Sequence, residues 1–225
     1  MRVAGRRRRR GHGDSGATAV EFAIVVPILL LLVIGMLEFA FVMRDYLSVS
    51  SATRVGSRVA STGASAGPGT CPGAPIVCVP AKVPALAQDA ADAIQQAGLG
   101  MPQDYIDYIL VYDSNDKGYP GSAGNATMPS RDQCGTSTYP NCVAFRWAPT
   151  INRFVYVTGS WDSSTIYACP PTASNPDGPD SVGVFMQATH PYLSRLFGAT
   201  MTITNRALTQ FEPLPINQCA GGQHQ

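Results

Sequence analysis

The 225-residue chain is 45% hydrophobic and 14% charged, which leaves room for one membrane anchor and one modest folded domain and excludes disorder throughout. Sixteen basic residues nearly balance fifteen acidic ones, yet six of the basic ones (Arg2 and the run 6–10) precede Gly16 with only Asp14 against them. Beyond residue 16 the balance is ten basic against fourteen acidic groups, a net of −4.

The arginine run is followed at once by apolar sequence. Residues 22–37 carry no charge, and the apolar character extends over 17–43, where Arg44 and Asp45 stop it. A helix of that length is about 40 Å long, enough to cross a hydrocarbon core of about 30 Å. Arginines ahead of such a run hold its first end on the cytoplasmic side and send the remainder across, so they read as an orientation signal and not as a nucleic-acid arm. A cleaved secretory signal has a shorter apolar region that ends at a small-x-small site, and 39–44 (FAFVMR) contains none. The expectation is a retained single-pass helix with the C-terminal bulk outside.

The helix is expected to continue outside the membrane over 44–62. In RDYLSVSSATRVGSRVAST, residues Tyr46, Leu47, Val49, Ala52, Val55, Val59 and Ala60 approximate an apolar stripe, with Arg54 and Arg58 on the opposite side. A Gly/Pro-rich linker follows over 63–81. In the remaining portion, 82–225, the alanine-rich segment VPALAQDAADAIQQAG reads as a short helix stopped at Gly98. DYIDYILVYD, CVAFRW, RFVYVTGSW, DSVGVFMQATH and TMTITNRALTQFE read as strands separated by Gly-, Pro-, Ser- and Asn-rich connections. Alternation at 200–205 suggests a strand with one wet face. The fold class is α+β: a long N-terminal transmembrane helix, extended outside, then a small antiparallel sheet domain with disulfides.

All six cysteines lie after the membrane run, an even number in a non-cytosolic domain, and are expected to form disulfides. Proximity favours Cys71–Cys78 and Cys134–Cys142, which leaves Cys169–Cys219. A zinc site is not expected, because there is no C-x-x-C and the external portion has only His190 and His224. Other chemistry-bearing patterns have plainer readings. Gly13-Asp-Ser-Gly16 matches a protease nucleophile tetrapeptide but stands on the cytoplasmic side of the anchor, away from any folded domain that would deliver a triad. There is no G-x-S-x-G elbow, no phosphate-binding glycine loop with its lysine and no H-E-x-x-H. His190, ahead of Pro191, reads as a turn or packing residue. Asp104, Asp107, Asp113 and Asp116 read as a solvated acidic edge whose spacing does not fit a calcium loop. Asn125-Ala-Thr127 fits a glycosylation acceptor, a pattern common by chance. The expectation is a non-enzymatic protein without cofactor or metal.

One question remains, since a lipid-facing carboxylate is expensive and Glu21 lies just inside the apolar run. The segment GATAVEFAIVVPILLLLVIGMLEF (16–39) resembles the amino terminus of TadE-like proteins, minor pilin-like components of the tight-adherence (Flp) pilus machinery. It is also similar to the class-3 signal of type IV prepilins, in which a basic leader ends in glycine and a glutamate is the fifth mature residue. SATRVGSRVAS (51–61) and HPYLSRLFGATMTITNRALTQFEP (190–213) are similar to the family's helix continuation and closing strand. The resemblance implies a leader, 1–16, removed after Gly16 by a prepilin peptidase, with Ala17 as the new amino terminus. Glu21 would then pair with the freed amine of its own or a neighbouring subunit, and Phe22 stands where many Flp pilins carry tyrosine. The implied partners are the membrane, a prepilin peptidase and other pilin-like subunits. The alternative is a membrane-tethered external binding domain unrelated to pili.

Overall fold

The structure is a computed structural model, and it describes residues 14–69, 80–172 and 176–219. By compactness the chain divides into 1–41 and 42–225. The described part of the first unit is helix alone. It is the beginning of α1 (Asp14–Thr62), which continues without a break into the second unit. Val20, Phe22, Ile24 and residues 28–33 are each more than half exposed. A helical surface that apolar needs lipid or a partner helix to cover it. Among the described residues α1 is the one helix long and apolar enough to cross a membrane. Pro27 stands inside it. The ring removes one backbone donor, a defect that membrane helices tolerate.

The second unit contains the end of α1, then α2 (Ala85–Gln96), β1 (Ile106–Ser114), β2 (Cys142–Ala148), β3 (Arg153–Ser160), β4 (Ser181–Pro191), β5 (Thr200–Gln210) and a final turn of helix, α3 (Ile216–Cys219). The strands form one sheet in the order β3-β2-β1-β4-β5, with every neighbouring pair antiparallel. β1 lies at the centre, so both of its faces are covered. Ile109 and Val111 join the core beneath α1 and α2, whereas Leu110 and Tyr112 turn to the opposite face and pack with Cys134, Cys142, Ala144 and Phe185. The layers are therefore two helices, a sheet and a long loop, 115–141, whose Met128 and Cys134 close the far face. Edge strand β5 alternates as its sequence suggests: Ile203 is buried while Thr202, Thr204, Arg206 and Leu208 are exposed.

α2 ends where Gly98 adopts φ +74°, a left-handed conformation that glycine takes without steric cost. Its polar residues at 88, 92 and 95 fall on one side and clasp the edge of the sheet. Gln88 donates to Phe154 O (3.0 Å), Gln95 to Asn152 O (2.8 Å), and Asp92 accepts from Arg153 Nε (2.9 Å). On the far face the disulfide Cys134–Cys142 pins the long loop to β2, and the chains cross so closely there that a Cβ on Gly135 would stand 2.4 Å from Gly159 Cα. A second disulfide, Cys169–Cys219, ties α3 to the connection before β4. Cys71 and Cys78 lie outside the described residues, as do the arginine leader and His224.

Of the apolar stripe expected on the helix extension, Val49, Ala52 and Ala60 pack as expected, but the packed face is turned away from Tyr46, Leu47 and Val55. The buried positions are Asp45, Val49, Ala52, Thr53, Gly56, Ser57, Ala60 and Ser61, at helical spacing, whereas Tyr46, Leu47 and Val55 are exposed. The reason is closeness of approach. A Cβ on Gly56 would stand 2.8 Å from Ile94 Cδ1, and one on Gly63, just past the helix end, 2.7 Å from Leu86 Cβ, so the large side chains of α2 fit because glycine stands opposite them. Large side chains at those positions would force the helices apart. The hydroxyls are used as well: Thr53 donates to Asn205 Oδ1 (3.1 Å) and Thr209 to Ser57 Oγ (3.0 Å), which fastens the helix along β5.

Candidate functional site

Four residues carry the sequence-based expectation in the first unit. Gly16 lies in the first turn of α1, is exposed, and has open space around the position of an added Cβ. Ala17 follows it in the same turn. The first turn of a helix has backbone N–H groups without intrahelical partners, so it is the part most readily drawn out to meet another protein. Glu21 and Phe22 are exposed one turn further on, and among the described residues none bonds to the Glu21 carboxylate. A bare carboxylate at that depth needs either headgroup water or a cation.

In the second unit, the face of α1 opposite the packed stripe presents Leu47, Arg54, Val55 and Arg58 around a shallow groove with Ser51. Two guanidinium groups four residues apart, set among apolar side chains, suit a partner that is itself part apolar and part acidic.

At the start of this helix portion lies a buried polar cluster that sequence reading missed. His190 Nδ1 is 2.7 Å from Asp45 Oδ2, with both side chains almost fully buried, and Arg44 Nη2 reaches Asp45 Oδ1 at 3.0 Å. The two residues are far apart in sequence, and no local pattern links them. The pair fastens β4 to α1, and its geometry does not suit a catalytic base. Nε2 of His190, the atom that would accept a proton, is buried without a partner among the described residues.

Three of the four aspartates read as one acidic edge, Asp107, Asp113 and Asp116, are separately employed. Asp107 accepts from Thr189 and Gln187, Asp113 from Asn141, and Asp116 from the Gly124 backbone. Burial pushes the Asp113 carboxyl up to about 6, the nearby Asp180 adds to the rise, and the hydrogen bond from Asn141 opposes it. Among the described residues no group of three His, Cys, Asp or Glu side chains is placed to hold a metal. The Asn-Ala-Thr tripeptide is a structural turn: Asn125 Nδ2 donates to Pro120 O (2.6 Å), and its Oδ1 accepts from Thr127 Oγ1 (2.8 Å).

The stretch from Gly16 through the small-residue stripe is thus a single continuous element, and it is this stretch that comparison with known proteins recognises. Residues 16–58 match the TadE-like protein family. The TadE-like segment begins at Gly16 and ends at Arg58, so it takes in the membrane-length run and nearly all of the packed stripe. Comparison with curated proteins and with solved structures finds no match.

Proposed function

We propose that this protein is a membrane-anchored TadE-like component of a tight-adherence pilus system, a pilus assembly protein or minor pseudopilin. The observation that carries the reading is the coincidence of the TadE-like match with one unbroken helix that is lipid-compatible in its first part and domain-bound in its last. In this reading the arginine leader stays cytoplasmic and is removed after Gly16 by a prepilin peptidase. The freed Ala17 amine neutralises Glu21 of its own or a neighbouring subunit, which turns a costly carboxylate into a pair. The exposed apolar surface of α1 packs against other pilin-like helices. Arg54 and Arg58 meet other components outside the membrane. No step requires an enzyme activity or a cofactor.

Deleting the gene in the native host tests this. Surface pili should be lost, and restored by the wild-type chain but not by Gly16→Leu, whose bulk obstructs close approach of a peptidase to the backbone. Normal pili in the deletion strain would contradict the assignment and favour the tethered binding domain.

A further inference from the structure

The connection between β4 and β5, residues 192–199, carries three large apolar side chains that are each more than half exposed: Leu193 (75%), Leu196 (57%) and Phe197 (55%). It is not a slack loop. Tyr192 N bonds to Ala199 O, Arg195 and Gly198 take turn conformations at φ 58° and 117°, and Tyr192 packs between the rings of His190 and Phe197. The tip is therefore mounted on the buried His190–Asp45 pair.

The direction of the tip follows from contacts within the second unit. Glu212 N bonds to Ser61 O, Thr209 to Ser57, Asn205 to Thr53, and His190 to Asp45, so descending β5 and ascending β4 both lead toward the low-numbered end of the helix. The hairpin continues past Asp45 by five residues to its apex, at most roughly 15 Å at strand rise. The apolar run ends at Met43, two residues or about 3 Å from Asp45 at helix rise. The chain thus enters lipid at the same end of the unit to which the tip points.

We propose that the β4–β5 tip is a second membrane contact, which seats Leu193, Leu196 and Phe197 in the lipid surface beside the point where α1 leaves it. Lipid is the occupant because, within the second unit, the tip lies at the end where the helix leads into the apolar run read as the membrane span. The surrounding chemistry fits an interface: Tyr192 is half-buried with its hydroxyl on Met201 Sδ, and Arg195 is exposed in the tip for a headgroup phosphate. Two contacts fix the tilt of the external domain, where a single helix would leave it free to rock. The proposal rests on α1 being a membrane span, and flotation of wild-type proteoliposomes checks that separately.

The test uses the full chain in phosphatidylcholine vesicles and in the same vesicles with brominated acyl chains, which quench nearby tryptophan. Both native tryptophans are buried, so wild-type emission gives the baseline. Phe197→Trp adds emission that should be largely lost in brominated lipid. Ile216→Trp, 78% exposed and beyond Glu212 at the other end of the unit, should be unaffected. Leu196→Trp repeats the measurement should the first variant misfold. Equal emission of the tip tryptophan in both lipids would overturn the proposal and leave the patch to a protein partner. Equal quenching at 197 and 216 would overturn it too, by showing the whole domain lying on lipid.

Discussion

A single methyl group added at Gly56 probes whether the small-residue stripe, and not the larger apolar side chains beside it, holds α1 to the external domain. The new Cβ would stand 2.8 Å from both Cδ1 and Cγ1 of Ile94 and 3.3 Å from Ala90 O, too close for α2 to keep its place. Overpacking of this kind costs about 1–3 kcal/mol. Replacing glycine by alanine inside a helix returns about 1 kcal/mol. Gly56→Ala should therefore destabilise by about 0–2 kcal/mol. Ile94→Ala alone removes a fully buried side chain and should cost about 2–5 kcal/mol. In the double variant the clash is gone and the new methyl occupies vacated space, so the loss should fall short of the sum by about 1–3 kcal/mol. Urea unfolding of the whole chain in detergent, followed by the fluorescence of buried Trp147 and Trp161, measures all four corners of the cycle. Leu47→Ala and Val55→Ala, on the exposed face, should stay within about 0.5 kcal/mol of wild type. Additive effects at 56 and 94, or a larger loss at 47 or 55, would refute the packing argument.

Other outcomes follow from the same structure. Loop-closure entropy assigns about 4 kcal/mol to Cys169–Cys219, at a sequence separation of 50, and about 2.6 kcal/mol to Cys134–Cys142, at a separation of 8, so paired Cys→Ala variants should lower the unfolding free energy in that order. Asp113, raised to about 6 from an ordinary 3.8, contributes stability that is complete below 3.8 and lost as pH rises through about 6. Asp113→Asn should accordingly gain on wild type between those pH values, by about 1–3 kcal/mol for this half-buried group, as read from denaturant midpoints across pH. Glu21→Ala should remain stable and membrane-bound, because a neutral side chain enters lipid more cheaply, yet fail to support pili. Normal pili in that variant would sink the amine–carboxylate pairing.

Most of the architecture could be read from periodicity. The five strands announced themselves as β-branched and aromatic runs between turn residues, and Gly98 marked the end of α2. What local pattern did not disclose is the buried face of the helix extension. Hydrophobicity ranks Leu47 and Val55 above Gly56 and Ser57, but two helices and an edge strand meeting at close range select for smallness and for hydroxyls that bond across the contact. The Asp45–His190 pair was equally hidden, since its partners lie 145 residues apart and only the antiparallel return of β4 brings them together. The expectation of processing at Gly16 and Ala17, and of pairing at Glu21 beside Phe22, is drawn from a short local motif alone and owes nothing to tertiary contacts.

The central claim is that this helix begins its mature life at Ala17. Amino-terminal sequencing of protein extracted from membranes of the native host measures this directly. The account predicts a sequence starting Ala-Thr-Ala-Val-Glu, with Glu21 in fifth place. A chain that retains Met1 or the arginine run would contradict it.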